Sequence, residues 1–448
     1  MLLNVLTQAI PSPFFEGLWR HPEDRSAEGY RSLEYWVETA RMLEDSCVDA
    51  LFLADIHGTF NVYRDSFGPA LRHAVQAPTL DPAFIIPAAA AATRRLGFAV
   101  TYSTTFHEPY SAARMFSTLD HLTNGRIGWN IVTSDMRVAR GTGLTKPLSH
   151  DDRYERADDF VDLTVKLWED SWEDGAVVRD READVFVDAA KVHAVRHTSR
   201  FFDVDVPHQV EPSPQRTPVL YQAGASPRGR TFAAKYAEVC FVTLSSFASG
   251  REEVSRVRDE AASFGRELKV LHGTGLIVGR DTADVQNKAD EYLRWASHEG
   301  LATKWCGWSG VDLGAYADDT PLDSIPPENL YSVRKFLGEL PAQRELTVGD
   351  LREYVAVPRR PNRFGKLMLF GTATQVADRM EEWMERTGVD GFNITPAPVT
   401  AGLRDMCELL IPELQRRGLV RTSYPDEEPT LRERYFGAGN RRYTRSKA

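Results

Sequence analysis

Cysteine is scarce: Cys47, Cys240, Cys306 and Cys407 are the only four in 448 residues, and no two form a C-x-x-C pair. That spacing offers neither a zinc site nor a dense disulfide framework, and marks the four as buried thiols. Positive charge is short as well. With 54 Lys and Arg against 64 Asp and Glu, the formal charge is −10, the wrong sign for a surface that must displace counterions from nucleic-acid phosphates. No apolar run reaches the roughly 18 residues of a membrane span, and Met1-Leu2-Leu3-Asn4-Val5-Leu6 lacks the basic start of a signal peptide. A cytoplasmic protein with no membrane or nucleic-acid partner is the expectation. Catalytic signatures are missing too. Neither a G-x-x-x-x-G-K-[ST] loop nor a G-x-G-x-x-G turn after a strand is found, so nucleoside triphosphates and Rossmann-type dinucleotides have no cradle. The absence of H-E-x-x-H, H-x-H and G-x-S-x-G leaves metal-dependent and acyl-transfer chemistry without its usual groups.

What is present is an ordinary globular composition, 42% apolar and 26% charged, in which short apolar segments alternate with amphipathic ones. That is the pattern of parallel strands joined by crossover helices. Strands are expected at Leu3–Gln8, Ala50–Ala54, Leu96–Thr101, Arg126–Thr133, Val219–Ala223, Val239–Thr243, Leu271–Val278 and Gly391–Thr395. Such a set suits a closed TIM-type (β/α)₈ barrel spanning residues 1–448 as one domain, with a doubly wound open sheet as the rival. Helical periods fall between the strands, among them Pro82–Arg94, Arg153–Glu169, Pro227–Ala237 and Gly402–Arg417. Residues 171–218 and 298–363 exceed ordinary connections and are expected as insertions, the second a candidate lid over the active site. The charged tail after Tyr424 is expected to wrap a neighbour or stay free.

In a barrel of this kind the site lies at the carboxyl ends of the strands, which directs attention to polar residues closing each apolar run. Asp55 follows the second strand, Thr101 ends the third, and Asn130 and Ser134 belong to the fourth. Asn130 stands out. Asn is unfavourable in strands, and in Gly128-Trp129-Asn130-Ile131-Val132 it needs a polar partner: a loop, a water or the edge of a planar heteroaromatic ligand. The turn Gly224-Ala225-Ser226-Pro227-Arg228-Gly229-Arg230 gives an N-cap at Ser226 and a proline at the first helical position. Free amides there, the Ser226 hydroxyl, Arg228 and Arg230 would suit a phosphate monoester; a capped helix with surface arginines is the bland alternative. His150 and Tyr154 are four apart at the start of a long helix, hence on one face. His107 next to Glu108 could bind metal or move protons, but no further ligands accompany the pair.

As a set, these motifs resemble the flavin-dependent monooxygenases of the bacterial luciferase-like superfamily, in the branch of nitrilotriacetate, dibenzothiophene-sulfone and long-chain alkane monooxygenases. The matching runs are Trp19-Arg20-His21-Pro22, Phe52-Leu53-Ala54-Asp55, Ser103-Thr104-Thr105-Phe106 with Pro109-Tyr110, Gly125-Arg126-Ile127-Gly128-Trp129-Asn130, His150-Asp151-Asp152-Arg153-Tyr154, Tyr221-Gln222-Ala223-Gly224 and Asp390-Gly391-Phe392-Asn393. The resemblance implies an oxygenase that takes reduced FMN from a separate NAD(P)H-dependent flavin reductase. With O₂ as co-substrate, it oxygenates a small organic molecule through a flavin C4a-(hydro)peroxide. It also implies that Asp55, Thr101, Asn130, His150 and Tyr154 hold the flavin ring and ribityl chain and Ser226 the phosphate, and that the protein is a homodimer or homotetramer. His21, Phe60, His107 and Ser134 are candidates to face the substrate. No metal and no general base are assigned. A deazaflavin-dependent oxidoreductase of the same superfamily is the alternative; a metal-dependent hydrolase built on His107, Glu108 and Asp55, or a barrel that only binds, stands further off.

Overall fold

The computed structural model describes residues 1–134, 142, 148–224, 226–325, 346–356 and 367–446. Its strands in chain order are β1 (Leu2–Gln8), β2 (Ala50–Ala54), β3 (Gly97–Ser103), β4 (Ile127–Val132), β5 (Val177–Asp180), β6 (Val185–Val187), β7 (Val195–Thr198), β8 (Asp203–Val206), β9 (Val219–Gln222), β10 (Val239–Val242), β11 (Lys269–Gly279), β12 (Leu367–Thr372) and β13 (Gly391–Pro396). A closed parallel ring runs β1-β2-β3-β4-β9-β10-β11-β13 and back to β1. These are the eight strands expected from the sequence, and closure settles the choice against an open sheet. Five strands were not anticipated: β5 to β8, all within residues 171–218, and β12. β12 stays outside the ring and pairs with the second half of β11, from Thr274 opposite Leu367 to Gly279 opposite Thr372.

Because side chains alternate along a strand, each barrel strand sends every second residue inward. Leu6, Phe52, Ala99, Tyr221 and Leu271 meet there, with Phe241 stacked on Tyr221 and edge-on to Phe52. Gly128 is part of this layer for a steric reason: a Cβ on it would fall 2.3 Å from the Tyr221 ring. The outward residues, Trp129 among them, pack on the surrounding helices; Trp129 also donates its indole N–H to the Tyr102 carbonyl at 3.0 Å. Asn124 (φ 53°) and Gly125 (φ 81°) make the left-handed turn that ends helix Pro109–Thr123 and launches β4.

The tail departs from its expectation. Rather than wrapping a neighbour, helix Leu431–Phe436 closes the amino-terminal end of its own barrel. Tyr435 Oη donates to Asn4 Oδ1 at 2.8 Å and accepts from Tyr221 Oη at 2.9 Å, while Arg432 pairs with Glu238 at 2.7 Å, both inside the protein. Of the tail's charges, Arg432, Glu433 and Arg434 are buried against internal partners, while Asp426 and Arg441 stay at the surface. The cysteines are all free thiols; Cys240 and Cys306 are buried as expected, but Cys47 and Cys407 are only half-buried.

The two long segments differ in character. Residues 171–218 form the hairpins β5-β6 and β7-β8, tied together by Trp172 Nε1 donating to the His208 carbonyl at 2.8 Å and fastened to the outer helix Pro109–Thr123 by Ser117 Oγ bonded to His208 Nε2 at 2.9 Å. The described part of 298–363 includes helix His298–Ser309 and has a small core of its own, with Trp305, Cys306 and Leu351. It sits on the loops that leave the carboxyl ends of β1 and β2. Lys304, buried, pairs with Glu16 at 2.6 Å and donates to the Phe14 carbonyl at 2.7 Å; Phe60 lies flat under Gly307. No helix among the described residues is long and apolar enough to cross a membrane.

Leu431 fills the bottom of the barrel and is fully buried against Gly97. Leu431→Ala is expected to cost about 3 kcal/mol, a large-to-small change in a site that cannot collapse. Urea unfolding should show a lowered midpoint at unchanged slope.

Candidate active site at the carboxyl end of the barrel

β3 and β4 run side by side with Thr101 directly opposite Asn130, and both residues point into the barrel above the Tyr221 layer. Asn130 Nδ2 donates to Thr101 Oγ1 at 2.8 Å, which fixes the amide rotamer. Its other atom, Oδ1, is buried and accepts no hydrogen bond among the described residues. A buried amide oxygen left without a donor costs about 1–3 kcal/mol, so the position is built for a partner brought from outside. Thr395 Oγ1, on β13, is another buried polar atom of the wall without a partner among the described residues. Just above, Ser134 Oγ donates to Ser103 Oγ at 2.7 Å, and Arg153 donates to the carbonyls of Thr133 and Ser134 at 3.1 and 2.8 Å. These bonds clip the start of helix His150–Glu169 to the end of β4.

The second group stands on β9, parallel to β4 with Tyr221 opposite Asn130. Ser226 lies just past the end of β9, so it and Asn130 share the same end of the barrel. As expected, Ser226 caps helix Pro227–Tyr236 and accepts from the Gly229 amide at 3.0 Å. The turn is tight: a Cβ on Gly224 would meet the Gly229 carbonyl at 2.4 Å, and one on Gly229 would meet the Tyr154 hydroxyl at 2.8 Å. Tyr154 therefore reaches from its own helix to this first turn, its ring edge-on to Phe232 at 5.9 Å. Arg228 does not stand free beside the turn. Its guanidinium is hydrogen-bonded to Asp158 and lies 5.2 Å over the Tyr154 ring. The expectation that Arg228 serves an anion thus meets a competing carboxylate that local sequence cannot reveal.

The third group rims the β1–β3 sector. Asp55 follows β2, and burial, reinforced by the nearby Asp81 carboxylate, pushes its carboxyl up to about 6. Two ring stacks lie beside it: His57 on Phe106 at 4.5 Å and His107 on Tyr102 at 3.7 Å, with the two imidazoles 6.0 Å apart. Burial holds both histidines below their ordinary range, and the neighbouring His57 lowers His107 further. The rim is thus aromatic, neutral at its histidines and acidic at Asp55 and Asp81. His57, Tyr102 and Asp81 were missed by sequence reasoning; the residue two after a strand-end Asp was the one available signal, for His57.

The remaining candidates are dispersed. His21 packs against helix Thr282–Trp295, edge-on to Tyr292 at 5.2 Å and 3.3 Å from Glu291. Phe60 is 1% exposed, a packing residue between loop and insertion. His150 opens its helix, but its side chain falls outside the described residues.

Asp55 gives a pH test. Its folded carboxyl keeps a proton up to about pH 6, whereas the unfolded one releases it near pH 4. The stabilisation from this group is therefore full below about pH 4 and lost as pH rises through 6. Asp55→Asn is expected to leave stability unchanged at low pH and to raise it by roughly 2–3 kcal/mol at pH 8, measured by chemical denaturation at both pH values.

Comparison with known proteins bears on this mouth. The model of the luciferase-like monooxygenase family matches residues 16–391. The long-chain alkane monooxygenase of Geobacillus thermodenitrificans is 42% identical over 430 residues, covering 95% of this chain and 92% of that protein. A crystal structure of long-chain alkane monooxygenase superposes with a TM-score of 0.90 at 40% identity, over 99% of this chain and 97% of that one. Nitrilotriacetate monooxygenase component A of Aminobacter aminovorans is 35% identical over 429 residues, 93% of this chain and 92% of that protein. A riboflavin lyase solved with modified FMN and its substrate riboflavin superposes at a TM-score of 0.89 and 32% identity, over 99% of this chain and 97% of that one. Since the family match runs from the first loop through the strand of Asn130 and the turn of Ser226 to β13, the chain belongs to the luciferase-like monooxygenase family.

Proposed function

We propose that this chain is the oxygenase component of a two-component system. It would accept reduced FMN from a separate NAD(P)H-dependent flavin reductase and, with O₂, place one oxygen atom on a small organic substrate. The observation that carries the reading is Asn130 Oδ1, buried and without a hydrogen-bond partner among the described residues, its amide fixed by the Thr101 bond at the same end of the barrel as the Ser226 turn. An isoalloxazine edge presents a ring N–H, the donor that this oxygen lacks, and the phosphate of the same molecule is an anion suited to a capped helix start. The name of the Aminobacter relative, a component A, favours a separate reductase, and the FMN of the superposable lyase favours FMN.

In this proposal Asn130 and Thr101 hold the ring, Asp55 borders it, and Tyr154 and Ser226 hold the ribityl phosphate end; His150 enters through family resemblance alone. Bound reduced FMN supplies the electrons that activate O₂, and the protein's task is to place the ring and keep water away. Asn130 is suited to positioning because its amide cannot rotate without breaking the 2.8 Å bond to Thr101. Substrate would enter over the rim, where His107 and Ser134 lie, with His57, Phe106 and Tyr102 lining the approach. The segment 298–363 would act as the lid, a role supported by the Lys304–Glu16 pair that anchors its helix His298–Ser309 to the loop after β1. The assembly proposed is a homodimer or homotetramer.

Supplied with FMN, a flavin reductase, NADH and a turned-over organic compound under ¹⁸O₂, the protein should deliver ¹⁸O to product. Label drawn only from water, or oxidation that proceeds without oxygen, would refute the proposal. Asn130→Leu is expected to weaken FMN binding about tenfold in calorimetric titration while leaving the fold intact by circular dichroism, the loss of a buried hydrogen bond and the ring's seat.

A further inference from the structure

Resting on the reading that the Ser226 turn receives the FMN phosphate, we propose that Asp158 is a positioning residue that takes Arg228 out of that site. It thereby leaves the phosphate to be held by neutral donors. The geometry lies in two helices. Tyr154 and Asp158, four apart, share one face of helix His150–Glu169. Arg228, in the first turn of helix Pro227–Tyr236, is hydrogen-bonded to Asp158 Oδ2 and stacked over Tyr154, so its charge points to the neighbouring helix. Lys235 repeats the pattern one level down, 3.9 Å from Asp158 and 3.6 Å from Asp162. The acids of one helix therefore balance these two cations of the other.

The turn itself is poor in donors. Pro227 brings no amide hydrogen, and the Gly229 amide is already given to Ser226 Oγ. What an anion meets there is the Ser226 hydroxyl, the first-turn amide of Arg228 and the Tyr154 hydroxyl beside Gly229, all of them neutral. An unpaired guanidinium would hold a phosphate dianion through a strong, salt-sensitive charge-assisted pair. A guanidinium already bidding for a carboxylate does not. The consequence is a cofactor grip that is moderate and nearly independent of ionic strength, as suits a molecule that must arrive reduced and leave oxidised in each cycle.

Equilibrium titration of FMN and of riboflavin, at low and high NaCl, tests this in the full-length protein and three variants. For the unaltered protein, FMN affinity should exceed that for riboflavin and change less than about threefold between 50 and 300 mM NaCl. Asp158→Asn should tighten FMN about tenfold at low salt, introduce a steep salt dependence, and leave riboflavin unmoved. Asp158→Glu should restore the original behaviour, and Arg228→Met should keep FMN affinity within about twofold, since no cation is withdrawn from the phosphate. A merely structural role for Asp158 predicts the opposite sign, weaker binding of both ligands, and would overturn the inference. So would a large loss of FMN affinity in Arg228→Met, or a steep salt dependence in the unaltered protein. If the unaltered protein binds FMN no better than riboflavin, the underlying phosphate assignment fails and this inference with it.

Discussion

The contact of the Tyr221 ring with Gly128 inside the barrel decides where packing stops and where a cavity can begin. Glycine on β4 gives room for the ring, Phe241 stacks on it, and the Tyr221 hydroxyl continues downward to Tyr435. Everything below that level is sealed by side chains and by the carboxyl-terminal helix. Asn130 is the next inward residue above Gly128, so the polar layer starts where the aromatic floor ends. A Cβ at Gly128 would lift the floor into the position of the mouth. The spacing of small, aromatic and polar residues on one strand thus sets the depth of the site.

Above that floor the protein tolerates groups that a core would reject. Asp55 is half-buried near the exposed carboxylate of Asp81, two histidines are kept below their ordinary range, and Asn130 Oδ1 and Thr395 Oγ1 have no hydrogen-bond partner among the described residues. The buried ones cost folding free energy, and perturbed groups gathered at a barrel mouth suit a site shaped for something other than stability. The opposite end uses equally charged residues in the opposite way. Arg432 meets Glu238 and the carbonyls of Thr217 and Pro218, so a buried cation there is fully answered.

Much of this was readable in the chain. The eight ring strands follow from apolar runs buried on both faces, and strand-end logic expected Asp55, Thr101, Asn130 and Ser226 at the carboxyl end of the barrel, where the fold has them. Failures share a cause: they depend on partners distant in sequence. Asp81 reaches Asp55, and Asp158 reaches Arg228, only after folding. β12 was invisible because it adds to one strand's outer half instead of closing the ring. Pro412 turns the expected helix Gly402–Arg417 into Val399–Asp405, a wider turn at Met406–Leu410 and a final helix Ile411–Arg416, since a missing amide hydrogen breaks the regular ladder. The tail's arginines looked like solvent-facing charge because nothing in their vicinity announces Glu238.

β11 carries a wider meaning through its double pairing. Its first half completes the barrel with β13, while its second half projects beyond the ring to bond β12, the strand on which the chain comes back from the long segment. Departure and return are therefore stapled to a single ladder that the barrel does not need for closure. Whatever lies between can lengthen, shorten or be rewritten without disturbing the eight-strand ring, which makes this junction the natural splice point at which one scaffold could acquire different chemical tastes.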